Sequence, residues 1–207
     1  MPQILWRQKQ LFHAQEDKIK NLNVLEIAPG HGLFSRAILQ HAPRHLTLIE
    51  HDPHQSELLA QHFARDSRVT VSNEDVHHAL TDKLKPVDTI VCAGFLYHSP
   101  HPLWILERMA ALNPRYILID TACAPNEMIQ VVPEPINQLG YRQTNSPHTG
   151  IALKLPAELY LTCMNSLGYR PIEQMNTLPP PTEGLSAEAA GILAGWQRCF
   201  SFWFVRK

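Results

Sequence analysis

The stretch Val24 to Ile38 reads V-L-E-I-A-P-G-H-G-L-F-S-R-A-I and constrains the fold more than any other part of the chain. Val24-Leu25-Glu26-Ile27 is an apolar run of strand length. A tight turn with Gly30 and Gly32 follows, and then Leu33, Phe34, Ala37 and Ile38 recur at helical spacing. Strand, glycine turn and helix together bring backbone N–H groups and a helix N-terminus up to a nucleotide-like ligand. Glycine suits such a turn because it tolerates positive φ and has no side chain to hold a ligand away. Beyond it, Leu46-Thr47-Leu48-Ile49 forms a second apolar run that ends in Glu50. A carboxylate at that place can accept hydrogen bonds from both hydroxyls of a ribose.

The same alternation continues. Strands are expected near 23–28, 45–50, 68–72, 87–93 and 115–120, with helices at 32–41, 54–65, 76–82 and 102–112 between them. This spacing predicts a parallel sheet covered by helices on both faces. Ligands of such sheets sit beyond the C-terminal strand ends. Glu26, Ala28, Glu50, Asp75, Ala93 and Asp120 all fall at such ends, so one cleft can gather them. A later helix near 156–167 starts with Pro156 in its first turn. Strands from Tyr169 to Met175 and around Arg198–Val205 complete seven, with a polyproline-like Thr177 to Thr182 spacer and a short helix at Ser186 to Leu193 between them.

Two ligand classes fit the glycine turn: dinucleotides and S-adenosylmethionine. The dinucleotide fingerprint asks for a third glycine where Ser35 stands. Glu26 at the strand end would repel a pyrophosphate but suits a cationic amino-acid ligand. The run Glu26-Ile-Ala28-Pro29-Gly30-His31-Gly32 resembles the first motif of class I S-adenosylmethionine-dependent methyltransferases, with Ala28 in place of the first glycine. Leu48 to Pro53, with Glu50 and His51, resembles the second motif. Asn73-Glu74-Asp75-Val76 resembles the adenine-contacting turn after strand three. Val87 to Ala93 resembles strand four, and Gly94-Phe95-Leu96-Tyr97-His98 the loop after it. Residues 102–120, 155–169 and 200–207 resemble the remaining helices and strands in order.

The resemblance implies a Rossmann-like α/β fold, a seven-stranded mostly parallel sheet with helices on both faces, and S-adenosylmethionine as cofactor. It implies cofactor contacts from Glu26, Ala28, Pro29, Gly30, Gly32, Glu50, His51, Asp75, Val76 and Ala93. Tyr97, His98 and His148 are the candidates to orient or deprotonate an acceptor, since histidine serves as a base near neutral pH. Each has a plainer reading: the glycines as a simple turn, Asp75 as a helix cap, and Tyr97 as packing. With 12 histidines in the chain, one near any site is expected by chance.

The 207 residues are expected to form one domain, with 1–21 as an N-terminal helical cap and 122–150 as a substrate lid. Net charge is −1, with no Lys/Arg cluster. That balance, with the small size and the proline-rich 122–150 segment, predicts a small-molecule acceptor, with O-methylation favoured and nucleic acid unlikely. The loop after strand four also lacks the N/D-P-P-Y/F motif of enzymes that methylate amino groups of adenine, cytosine or glutamine. Three rival readings remain. The Tyr97-His98 loop resembles that of carboxymethyl transferases acting on tRNA. A nicotinamide-dependent oxidoreductase is disfavoured by Ser35 and Glu26. A non-catalytic, methyltransferase-like partner subunit is disfavoured by the intact Gly30, Gly32 and Glu50. Isolated Cys92, Cys123, Cys163 and Cys199 favour a reduced, cytoplasmic protein. No apolar run reaches membrane-spanning length, no H-x-x-H or H-E-x-x-H spacing supports a metal site, and nothing in the residues sets an oligomeric state.

Overall fold

The computed structural model describes residues 10–81, 84, 86–124, 128–133, 151–174 and 199–207. These build a seven-stranded sheet from β1 (Asn23–Ile27), β2 (His45–Ile49), β3 (Val69–Ser72), β4 (Thr89–Ala93), β5 (Tyr116–Ala122), β8 (Tyr169–Gln174) and β9 (Cys199–Arg206). The spatial order is β3-β2-β1-β4-β5-β9-β8. β1 to β5 pair in parallel, whereas β9 runs antiparallel to both β5 and β8. The helices between are α1 (Leu33–Gln40), α2 (Pro53–His62), α3 (Val76–Ala79), α4 (Pro102–Ala111) and α5 (Ala157–Ser166). Strand order reverses between β1 and β4, so a crevice opens beyond their C-terminal ends.

Side chains alternate across a strand, and here they divide the core in two. Leu25, Ile27, Ile90, Cys92, Ile117 and Ile119 face one side, packed against Ile105, Leu106 and Met109 of α4 and Tyr160 and Met164 of α5. Val24, Leu46, Leu48, Val91 and Leu118 face the other, against Ala37 and Ile38 of α1 and Leu59 of α2. Both faces are covered, so the central strands read as near-continuous apolar runs. β9 contributes to each layer, with Phe204 in the first and Trp203 in the second. Trp203 is fully buried, and its indole N–H donates to the Leu11 carbonyl at 3.1 Å.

The seven strands and five helices expected from residue pattern in the described residues are found, with ends moved by at most three residues. The expected helix at 186–193, and Trp6 in the N-terminal segment, lie outside the described residues. Within the expected N-terminal cap, Leu11, Phe12 and Ile19 pack into the core beside α1 and α2. The expected irregular lid at 122–150 is partly regular. β6 (Gln130–Pro133) pairs antiparallel with β7 (Ile151–Lys154). Its partner lies some twenty residues on, and four-residue runs without turn signals do not stand out by periodicity. Residues 125–127 and 134–150 of that segment, His148 included, lie outside the described residues. β8 is an edge strand with a register shift at Pro171, the place in a sheet where proline is tolerated.

Candidate active site

The turn after β1 takes left-handed backbone at alternate residues: Ala28 at φ 52°, Gly30 at 55° and Gly32 at 71°. Gly32 caps α1, and its N–H donates to the Pro29 carbonyl at 3.0 Å. A Cβ there would lie 2.7 Å from Leu59 and 3.2 Å from Phe63, so α2 seats directly on this glycine. A Cβ at Gly30 would meet nothing within 4 Å. Its face of the turn is an open backbone surface. Alanine at 28 is a larger departure than its size suggests, because that position does need positive φ, which costs an L-residue about 1–2 kcal/mol.

Glu50 follows β2 and is buried. It accepts the Gly30 N–H at 3.0 Å on one oxygen and the Asp52 N–H at 2.9 Å on the other. It thus ties the glycine turn to the start of α2, where Asp52 caps the helix through the N–H groups of His54 and Gln55. Asn73 donates to the carbonyls of Glu50 and His51, both at 2.9 Å, and so fixes that loop from the β3 side. Burial raises the Glu50 pKa, although the two N–H groups pull the other way.

Glu26 is on the α1 face of β1, only 1% exposed. The Ser35 hydroxyl, fully buried, donates to it at 2.6 Å. Burial pushes its pKa up to about 8, Ser35 opposes this, and the nearby Glu50 charge adds to it. Among the described residues no lysine or arginine pairs with Glu26 or Glu50. Two acids buried side by side without a cation form a place where a positive ligand gains most.

Asp75 caps α3, its carboxylate accepting the His77 N–H at 2.7 Å. His77 Nδ1 lies 2.8 Å from the same oxygen, and His51 Nδ1 is 3.8 Å from the other. Burial disfavours the charge, but the His77 hydrogen bonds and the two imidazoles outweigh it and hold Asp75 below the usual carboxylate range. Val76, which follows Asp75, and Ala93, which ends β4, are both buried, the first in the α4-side core layer and the second in the α1-side layer. After β4, Leu96–His98 forms a 3-10 turn that carries Tyr97 and His98, both half-buried, with ring centroids 4.0 Å apart. The Ser99 carbonyl accepts the Leu153 N–H at 3.0 Å, so the β6–β7 hairpin is anchored to this turn.

The fold therefore brings the strand-end positions from Glu26 to Ala93 to one edge of the sheet, with Tyr97 and His98 in the next loop. Asp120 differs: its side chain is fully buried and accepts the Ser201 hydroxyl at 2.6 Å, so it serves the sheet. Two neighbours escaped sequence reasoning. Ser35 entered only as a missing glycine, although it lies in the first turn of α1, where a side chain faces the end of β1. His77 was not singled out. Its signal is local, a histidine two residues after a helix-capping aspartate. Among the described residues no three of His, Cys, Asp and Glu gather as a metal site, and no helix is long and apolar enough to cross a membrane.

A family model for ribosomal RNA adenine dimethylases matches residues 7–101, somewhat under half of the chain. Ribosomal RNA small subunit methyltransferase A of Wolbachia pipientis wMel is 35% identical over 83 residues, which is 37% of this chain and 28% of that protein. Its counterpart from Wolbachia sp. subsp. Drosophila simulans (strain wRi) is 35% identical over 83 residues, covering 37% of this chain and 29% of that one. The chain thus spans less than a third of the length of these relatives. Among solved structures, the N-terminal domain of EvdMO1 with S-adenosylhomocysteine and D-fucose superposes with a TM-score of 0.67 at 13% identity, over 97% of this chain and 82% of that one. The N-methyltransferase NodS of Bradyrhizobium japonicum gives 0.65 at 18% identity, over 99% and 97%. An S-adenosylmethionine-dependent methyltransferase of Mesorhizobium loti gives 0.64 at 14% identity, over 97% and 98%. At such identity the structural likeness speaks to fold.

The expectation of a small-molecule acceptor, with nucleic acid unlikely, is overturned by these relatives, whose names place their methyl groups on ribosomal RNA. It leaned on near-neutral charge, small size and a proline-rich segment, which say little about an acceptor that one cleft can hold. In sheet order the chain shares the fold of solved class I S-adenosylmethionine-dependent methyltransferases, and over residues 7–101 it is similar to the ribosomal RNA methyltransferases.

Proposed function

We propose that this chain is an S-adenosylmethionine-dependent methyltransferase whose acceptor is RNA. The observation that carries the acceptor is the family match over 7–101, which spans the glycine turn, Glu50, Asp75 and the Tyr97-His98 turn. A cytoplasmic setting accords with an RNA acceptor and with isolated cysteines.

The residues present fit the cofactor. Gly30 offers an open backbone face, and Glu26 and Glu50 form a buried acidic pair with which no lysine or arginine among the described residues is paired. In this reading Glu26 takes the amino group, with Ala28, Pro29, Gly30 and Gly32 supplying backbone around it. Glu50 takes the ribose hydroxyls, with His51 alongside, and Asp75 and Val76 take the adenine edge with Ala93 behind. When bound, S-adenosylmethionine supplies an electrophilic methyl carbon on a sulfonium.

What the protein adds is placement of the acceptor in line with that carbon. Tyr97 and His98 border the crevice on the acceptor side, where His98 takes the proton from an acceptor that must lose one. The hairpin held at Ser99 backs this turn and forms one wall of the acceptor entrance. The loop reads Ala93-Gly94-Phe95-Leu96-Tyr97-His98 and lacks the N/D-P-P-Y/F residues that draw on an aromatic amine. We therefore assign the acceptor class, RNA, without carrying over adenine dimethylation.

Calorimetric titration tests the cofactor, with S-adenosylhomocysteine expected to bind 1:1 and NAD not to bind. Fluorescence anisotropy with a ribosomal RNA fragment tests the acceptor. Binding that tightens when S-adenosylhomocysteine is present supports the reading, and indifference to RNA at low salt refutes it.

A further inference from the structure

Beside the proposed adenine contact stands a cluster that the cofactor reading does not use. His77 stacks on Trp104 of α4, with centroids 5.2 Å apart and planes at 28°. His101 meets the same imidazole edge-on at 5.8 Å. The Arg108 guanidinium lies 6.0 Å from the Trp104 ring, and its Nε donates to the Leu80 carbonyl at 2.8 Å. The imidazole plane is thereby held by α4, an element separate from the helix that carries it.

One carboxylate oxygen of Asp75 takes both His77 hydrogen bonds, from the backbone N–H at 2.7 Å and from Nδ1 at 2.8 Å. An ionised carboxylate only accepts, so Nδ1 carries the proton. The backbone N–H alone would cap the helix, as Asp52 shows at α2 with backbone donors only. The ring contact is additional. It leaves the second oxygen, Oδ2, facing His51 at 3.8 Å, beyond hydrogen-bond range and available to another donor.

We propose that His77 is a positioning residue for base recognition: clamped against Trp104, it locks the Asp75 carboxylate so that Oδ2 is presented to an exocyclic amine of the bound purine. The inference rests on the cofactor reading above and deepens it. It makes discrimination between a 6-amino and a 6-oxo purine depend on a side chain that touches neither. The charged and titratable groups around the lock are Asp75, His51, His101 and Arg108.

The test compares binding of S-adenosylhomocysteine with S-inosylhomocysteine, which carries oxygen in place of the amine. The wild-type protein is expected to prefer the adenosyl compound by about tenfold or more, the scale of one hydrogen bond to a charged acceptor. His77→Phe keeps the ring on Trp104 but removes the donor, and should reduce that preference to below about threefold. His77→Asn places an amide N–H where Nδ1 was and should restore it. A merely structural role would lower melting temperature and both affinities together and leave their ratio unchanged. Should H77F fail to fold, H77Q takes its place, since its amide reaches the Nε2 position and must also lose selectivity. A selective wild type with equally selective variants overturns the lock. A folded wild type that binds neither compound refutes the cofactor reading itself.

Discussion

Glu26 is the buried acid whose titration the fold moves far from its ordinary range. Its pKa in the fold is about 8, against 4.5 for an ordinary glutamate. The folded state keeps a proton that the unfolded chain releases, so the free protein loses stability as pH rises from 4.5 towards 8. Glu26→Gln removes that loss while keeping an acceptor for Ser35. At pH 8 it should raise unfolding stability by roughly 2–4 kcal/mol while S-adenosylhomocysteine binding disappears. Denaturant melts at pH 5 and pH 8 would check this, and an equal change at both would rule it out. Glu50→Ala should weaken the same ligand by about 1–3 kcal/mol, read by calorimetry at matched folded fraction. Ala28→Gly relieves a left-handed alanine and should stabilise the free protein by about 1 kcal/mol, visible as a higher urea midpoint with the same slope.

At the scale of elements, the strand–turn–helix unit holds the site together. Gly32→Ala should displace α2, because the new Cβ falls 2.7 Å from Leu59 and the backbone there is left-handed. A loss of about 2–4 kcal/mol in thermal or denaturant stability is expected; a neutral result would show that α2 does not seat on this turn. The elements legible beforehand were those with strong periodicity and a sharp stop: β1 ending in its glycines, β2 ending in Glu50, and α4 opening on Pro102. The β6–β7 hairpin was hidden because its strands are short and pair across an intervening stretch. Strand-end carboxylates could be named because a parallel sheet places them together. Their partners could not. Ser35 on Glu26, and His77 on Asp75, depend on which way a side chain points after helices dock, and residue spacing does not encode that.

For the molecule as a whole, net charge was the misleading signal. At −1 with 18 lysines and arginines, the chain is expected to hold RNA through few phosphates. The slope of log affinity against log salt should be shallow, about −2 to −3, where each phosphate on a single strand contributes about −0.7. A slope beyond about −6 would mean a basic surface that the sequence does not display. Near neutrality is compatible with an RNA acceptor when specificity comes from a base seated in a cleft. The same reasoning explains why the fold was legible and the acceptor was not. A cofactor needs a fixed constellation at strand ends, whereas an acceptor is met by loops and by the hairpin.

Methyl transfer to RNA is the reaction proposed for this protein. The most direct measurement incubates purified protein with tritiated-methyl S-adenosylmethionine and unmodified ribosomal RNA, with the Glu50→Ala variant in parallel. Label is expected in the RNA, removed by ribonuclease and, at low S-adenosylmethionine concentration, strongly reduced with the variant. A folded wild-type protein that binds S-adenosylhomocysteine yet leaves RNA unlabelled, while labelling small molecules from a cell extract, would contradict the account.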